Sequence, residues 1–320
     1  EVTISCELFP PKKGSELEKA HEIVREMAKV KPSFMSVTYG ASGGISEHTV
    51  DLANEVQNVN GVLALAHLTC ASSGRDKIQE VLKELKEHQI ENILALRGDI
   101  PEHVEFPLPN QYHHASELIE EIKNFGDFCI GGACYPEGHP EAESLEADID
   151  NLKRKVEAGC EFLTTQMFFD NNILYNFLYR TLKRGIEVPV IAGIMPVTNV
   201  KQIRRITSLS GTILPQRFRA IVERFADHPA ALKQAGIAYA TDQIIDLIAN
   251  GVNHVHIYTM NKPDVAGAIF RNLSEIYNLP GRTVSFQFCK NFIQKSFRLT
   301  VNVLAAVSQI PLPKPIPSGK

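Results

Sequence analysis

Residues 3–11 read TISCELFPP. The run begins as an apolar, strand-like stretch and ends in a carboxylate, Glu7, followed at once by Leu8, Phe9 and two prolines. Pro10 and Pro11 cannot continue a central strand, and by fixing backbone angles they stiffen the loop that leaves it. An acid delivered at the C-terminal end of a short buried strand, over a stiff loop, is a side chain held at a set angle. The question is whether the rest of the chain repeats that arrangement.

It does. Short β-rich runs recur at Thr3–Phe9, Phe34–Tyr39, Val62–Leu68, Asn92–Arg97, Phe128–Cys134, Phe162–Gln166, Val188–Ile194 and Val255–Thr259. Helical patterns separate them at Ser15–Ala28, Ser46–Asn58, Arg75–His88, Ala115–Asn124, Leu145–Ala158, Asn172–Arg184, Val200–Thr207 and Val265–Ile276. Ser15 with Glu18, and Ser46 beside Glu47, supply helix starts, while Gly159 and Gly185 stand where helices stop. Eight alternating units predict a parallel sheet closed into a (β/α)8 TIM barrel over residues 1–279. The longer seventh connection carries two extra helical patterns, Gln216–Phe225 and Pro229–Ala249, expected to thicken one side of the barrel. No G-x-G-x-x-G follows the first strand, which argues against a dinucleotide-binding open sheet.

The 320 residues carry a net charge of −4, so no global basic field would attract nucleic acid or an anionic membrane, and small ligands are the expected partners. Six cysteines lie in apolar runs without a C-x-x-C pair, which reads as buried thiols and not as a zinc site or disulfide framework. There is no signal-peptide pattern and no apolar stretch long enough to span a bilayer, so a cytoplasmic protein is expected. Residues 281–320 contain no Asp or Glu and six Lys or Arg. Together with Pro280 they read as a basic, Pro-containing tail over 280–320, outside the barrel.

In a (β/α)8 barrel, active sites are built at the C-terminal ends of the strands. Those ends hold Glu7, Thr38, Tyr39, His67, Thr69, Arg97, Asp99, Tyr135 with His139, Gln166, Met195 and Tyr258, mostly polar residues that a packed interior disfavours. Around Gly98, Arg97 and Asp99 read either as a local ion pair or as a clamp on the polar edge of a planar ligand. Asp148, Asn151 and Lys155 recur at i, i+3 and i+7 on one helical stripe, which is either a solvated face or a surface turned to a phosphate or ribose. His254 and His256 alternate along the eighth strand and share a face. With no third ligand pattern nearby, a satisfied structural role is the expectation, and no metal site is assigned.

The motifs CELFPPK, FMSVTYGA, AHLTC, LALRGD, ACYPEGHPEA, NLKRKVEAG, TTQMFFD, GIMPVTNVKQ and HIYTMNK, in that order from Ile4 to Tyr277, together resemble the methylenetetrahydrofolate reductase family of bacterial flavoproteins. The resemblance implies FAD at the barrel mouth, reduced by NADH or NADPH, and a hydride passed to 5,10-methylenetetrahydrofolate in alternating, ping-pong fashion. Glu7 then matches the general acid, and Asp99 lies between flavin and pterin as a second catalytic group and a substrate contact. Thr38, Tyr39, Ala41, His67, Arg97, Gly98, Asp99, Ala115, Tyr135, His139, Asp148, Asn151, Arg154 and Lys155 match the FAD-lining positions. Gln166, Gln202 and Lys262 match the folate contacts.

Two positions depart from the family's pattern. Lys262 stands where an Arg is common, and Ile206 where an aromatic stacks on substrate. A pterin-dependent methyltransferase barrel and a non-catalytic flavin or folate binder are the rival readings. Homo-oligomerisation is left open.

Overall fold

The apolar runs become strands because parallel barrel strands are covered on both faces, by the interior and by the helical ring. In a computed structural model of the chain, which describes residues 2–11, 14–39, 47–71, 73–100 and 106–277, these are β1 (Thr3–Leu8), β2 (Met35–Val37), β3 (Ala64–Thr69), β4 (Asn92–Leu96), β5 (Cys129–Cys134), β6 (Phe162–Thr165), β7 (Val190–Ile194) and β8 (His254–Ile257). They pair in chain order, all parallel, and β8 returns to β1 with Ser5 opposite His256, so the sheet is a closed (β/α)8 TIM barrel. Ala41 and residues 278–320 lie outside the described residues.

The helices are α1 (Leu17–Ala28), α2 (Glu47–Asn54), α3 (Arg75–Glu87), α4 (Ala115–Phe125), α5 (Leu145–Ala158), α6 (Asn171–Lys183), α7 (Val200–Ser210), α8 (Gln216–Arg224), α9 (Pro229–Ala249), α10 (Pro263–Asn272) and α11 (Ser274–Tyr277). Among the described residues, side-chain caps start three of them: Ser144 on α5, Asp170 on α6 and Asn199 on α7 each accept a hydrogen bond from a first-turn N–H, while Ser46, expected before α2, lies outside the described residues. The Ser15 cap expected for α1 does not form. A 3-10 turn over Gly14–Glu16 tightens that entry instead. The single helix expected to run to Asn58 changes at Glu55 into a π-helical turn over Glu55–Val59, which carries the buried Glu55 carboxylate to 3.9 Å from both His21 and Arg25.

Three apolar clusters result. The largest fills the layer between barrel and helices. A second ties α7, α8 and α9 to the ends of β6 and β7 through Phe169, Phe218 and Tyr239, whose rings stack at 5.1 and 4.0 Å; this is the thickened side that the long seventh connection predicts. The third, Phe34, Leu65, Leu94, Cys129, Phe162 and Ile191, takes one residue from each strand β3 to β7 and the residue just before β2, and plugs the barrel. Cys6, Cys70, Cys134 and Cys160 are buried free thiols, whereas Cys129 is disulfide-bonded, which its lone position in the sequence did not foretell.

The interior turns polar where β8, β1 and β2 meet. Ser5 Oγ donates its single proton to the Val255 carbonyl at 3.0 Å and so accepts from His256 Nδ1 at 2.7 Å. His256 Nε2 then accepts from Ser36 Oγ at 3.0 Å, and the ring stacks on Phe34. Burial holds this imidazole neutral by lowering its pKa to about 3. His254 likewise bonds the Thr3 hydroxyl, at 2.9 Å. The structural role expected for both histidines is the one observed.

One glycine makes room for the mouth. A Cβ on Gly193 would lie 2.4 Å from the Thr165 carbonyl oxygen and 2.6 Å from the Tyr258 ring, because Tyr258 crosses over β7 to donate to that carbonyl at 2.5 Å. Gly193→Ala should therefore expel Tyr258 and cost about 1–3 kcal/mol by overpacking, read from urea denaturation at constant m-value. His256→Leu, which strands the Ser36 hydroxyl and takes away the donor to Ser5 Oγ while leaving the Ser5 bond to Val255, should cost about 2–4 kcal/mol in the same assay.

Candidate active site

Period-two alternation along β1 places Glu7 one step above Ser5, at the C-terminal mouth of the barrel. Its side chain is only 7% exposed and makes no hydrogen bond among the described residues, while its backbone carbonyl accepts from Thr259 Oγ1 at 2.7 Å. Desolvation raises the carboxyl pKa to about 8, so the acid keeps its proton at neutral pH. Tyr258 is close enough for the Glu7 charge to raise the phenol further, beyond the larger push from burial.

Two strands along, on β3, burial takes His67 down to about 3, and its Nε2 is buried without a partner. The Thr164 hydroxyl on β6 is likewise unpaired. Orphaned polar atoms at the end of a barrel are expected to meet a ligand or ordered water.

The rim over β4 and β5 is charged. Gly98 holds φ +86°, a left-handed backbone in which a Cβ would press to 3.0 Å on Thr69, so the chain can turn sharply here only without a side chain. Arg97 does not pair with Asp99, as one sequence reading allowed; its fork grips both Glu141 oxygens, at 2.6 and 2.8 Å, which raises the guanidinium pKa and lowers that of the acid. Asp99 is exposed. Tyr135, held up at about 12 by burial and then by the charge of Asp99, meets His139 edge-on at 4.6 Å. His139 N–H donates to Asp148 at 3.1 Å, and its Nδ1 accepts from Glu141 N–H at 3.1 Å.

The remaining predicted positions are distributed around this rim. Ala115 is buried as the first residue of α4. Thr38 is half-buried at the end of β2, and Tyr39 turns outward to bond Ser73 at 2.9 Å. Asn151 and Arg154 are exposed and bonded to each other at 3.0 Å, whereas the Lys155 amino group dips beneath β5 to the Ala133 carbonyl at 2.9 Å, where burial lowers its pKa. On the far side Gln166 accepts from the Met167 N–H, Gln202 sits in the first turn of α7, Ile206 packs in the α7–α9 cluster, and Lys262 bonds the Thr198 hydroxyl at 2.6 Å. Beside the mouth, a cavity of about 520 Å3 between α5 and α6 is lined by Tyr135, His139, Asp148, Phe177 and Arg180. At its edge, Glu137 Oε1 is buried without a partner. Glu141 is the mouth residue that the sequence reading missed, although it lies within the quoted ACYPEGHPEA motif.

Comparison with known proteins bears on this arrangement. The family model described as methylenetetrahydrofolate reductase matches residues 1–274. The chain belongs to the methylenetetrahydrofolate reductase family. It is 35% identical over 272 residues to the 5,10-methylenetetrahydrofolate reductase of Pectobacterium carotovorum subsp. carotovorum, covering 85% of this chain and 90% of that one. It is also 35% identical over 288 residues to methylenetetrahydrofolate reductase (NADH) 1 of Zea mays, of whose length it spans 49%. An uncharacterized Clostridium thermocellum protein, solved with two copies of 5-methyl-5,6,7,8-tetrahydrofolic acid, superimposes with a TM-score of 0.61 over 86% of this chain and 95% of its own, at 13% identity, and so shares the fold. As a methylenetetrahydrofolate reductase family member the chain is of an oxidoreductase type, and among its described residues no helix is long and apolar enough to cross a membrane.

The buried acid and the buried histidines have opposite signatures in stability. Glu7, raised to about 8, contributes stability that is fully present below about pH 4.5 and lost as pH rises through 8. His67, His254 and His256, lowered to about 3, 4 and 3, contribute stability that is present above pH 6.5 and lost as pH falls toward 3. Glu7→Gln should therefore remove the fall in stability between pH 5 and 8, of order 3–5 kcal/mol over the window, and leave the acid limb unchanged. Chemical denaturation of both proteins across that pH range measures the difference.

Proposed function

We propose that this protein reduces 5,10-methylenetetrahydrofolate to 5-methyltetrahydrofolate with electrons from NADH or NADPH, through FAD held at the barrel mouth. The observation that carries the proposal is the buried, protonated Glu7 at the end of β1, opposite a rim of basic and orphaned polar groups. The rim fits a flavin nucleotide: Arg97 and His139 suit a diphosphate, the unpaired His67 Nε2 suits a ring-edge polar atom, and Gly98 lets backbone approach a planar ring. Thr38, Tyr39, Ala41, His67, Arg97, Gly98, Asp99, Ala115, Tyr135, His139, Asp148, Asn151, Arg154 and Lys155 are the residues proposed to hold it. When bound, FAD supplies hydride chemistry that no protein side chain performs.

The chain's own groups then have separable tasks. Glu7 holds a proton that the bridging nitrogen of the folate needs if its five-membered ring is to open to an electrophilic iminium. A carboxyl with a pKa near 8 keeps that proton at neutral pH and releases it only to a base formed in the reaction. The exposed Asp99 offers its carboxylate to the amino edge of the pterin, while Gln166, Gln202 and Lys262 position the remainder of the folate. Nicotinamide and folate share one flavin face in this arrangement, so they bind in turn and the kinetics are ping-pong. The purified protein is then yellow, whereas a methyltransferase barrel would be colourless. A non-catalytic binder would fail to oxidise NADH with an electron acceptor.

Glu7→Gln keeps the shape and hydrogen-bonding capacity of the side chain and removes its transferable proton. FAD binding and flavin reduction by NADH should persist, while anaerobic reoxidation by methylenetetrahydrofolate should slow by about 10²–10⁴-fold. Stopped-flow absorbance separates the two halves, bleaching for the first and return of colour for the second. Reoxidation at the parental rate would sink the role of Glu7, and failure of both halves would make it a residue that organises the flavin site.

A further inference from the structure

The bidentate pair between Arg97 and Glu141 joins the end of β4 to the turn before α5, across 44 residues of sequence. The elements it joins have bonds of their own. Strands β4 and β5 pair through their own backbones, and α5 is capped by Ser144. What the pair does fix is the state of the guanidinium. Arg97 Nε donates to the Gly98 carbonyl at 3.3 Å, which sets the plane of the group, and both terminal nitrogens face the carboxylate. That end-on fork is the geometry a guanidinium presents equally to a carboxylate or to a phosphate.

The two partners are unequally held. The Arg97 side chain is 24% exposed and locked in the rim, while that of Glu141 is 60% exposed. The Glu141 backbone is fixed by its N–H bond to His139 Nδ1, and the turn is closed by Ala142 N–H to the His139 carbonyl at 2.9 Å. Its carboxylate hangs on rotatable bonds and swings into water at little cost. A carboxylate tethered this way is an anion at high local concentration that any incoming anion must displace.

We propose that Glu141 is a tethered stand-in for the diphosphate of the flavin nucleotide: it fills the Arg97 fork until a phosphate takes its place, and so lowers the affinity for phosphate-bearing flavins alone. The inference rests on the reading of this mouth as a flavin site. Exchange replaces one charge-assisted fork by another, so Arg97 is never left unpaired in a half-buried position. A flavin without phosphate has nothing to offer the fork and leaves the pair intact. Glu141 thus tunes the discrimination between FAD and riboflavin while touching neither ring.

The test uses the flavin-stripped full chain, titrated with FAD and with riboflavin and followed by flavin fluorescence. Glu141→Gln should tighten FAD binding about two- to fivefold, the range expected for releasing a partly exposed ion pair, and leave riboflavin binding within error. In an Arg97→Gln background the same substitution should do nothing. Weaker or unchanged FAD binding, an equal gain for riboflavin, or a gain that survives Arg97→Gln would each overturn the inference. Glu141→Ser, which removes the charge with a different side chain, must give the same sign, so a folding failure of one variant does not decide the matter. Absence of FAD binding by the unsubstituted protein is seen before any variant is compared; it removes the flavin reading and the inference with it.

Discussion

A neutral imidazole inside the barrel sets the geometry of the mouth above it. His256 receives one hydroxyl and donates to another, and so joins β8 to β1 and β2 across the seam where the sheet closes. The two bonds work together only in the tautomer with the proton on Nδ1, because Ser5 has already given its own proton to Val255. With Ser5 and His256 pinned face to face, strand alternation places Glu7 one step above Ser5, and the chain running on from β8 carries Tyr258 one step above His256. A slip of one residue would turn both side chains outward. The acid therefore owes its position to a layer of hydrogen bonds that it does not itself join.

Burial acts on that region with one consequence. It raises Glu7 and lowers His67 and His256, and each shift removes a charge. At neutral pH the sector formed by β8, β1, β2 and β3 is uncharged, although it contains an acid and three imidazoles counting His254. The formal charges Arg97, Glu141, Asp99 and Asp148 gather on the opposite rim, beyond β4 and β5, where water is nearer. The barrel thus has an uncharged, proton-holding side and a charged side within one mouth.

Most of the fold was legible because both faces of each strand are covered, which makes the strands visible as apolar runs; six of the eight observed strands lie wholly within the runs read from sequence, while β3 ends one residue later, at Thr69, and β8 begins one residue earlier, at His254. The mouth was legible for a related reason, since polar residues at the ends of apolar runs stand out against what a core tolerates. What escaped notice is what periodicity does not encode. The π-helical turn at Glu55 is a break in the 3.6-residue repeat, and it begins at a buried carboxylate that faces α1. The spacing of Asp148, Asn151 and Lys155 correctly set them on one stripe, but a stripe does not reveal that Lys155 bends beneath β5 to a carbonyl while Arg154 stays in water.

The Arg97–Glu141 pair belongs to the same class of hidden feature, and it shows why a local reading of LALRGD falls short. Arg97 and Asp99 are neighbours in sequence with a glycine between them, the spacing that invites an ion pair. Gly98 instead takes a left-handed backbone, and Asp99 is left exposed while Arg97 reaches over β5 to an acid 44 residues away. The glycine that turns the chain sharply at the rim therefore keeps the adjacent carboxylate out of the guanidinium fork. An acid fixed beside Arg97 on its own loop would neutralise it permanently; one reaching it from across the mouth on an exposed side chain leaves the fork open to the exchange proposed for Glu141.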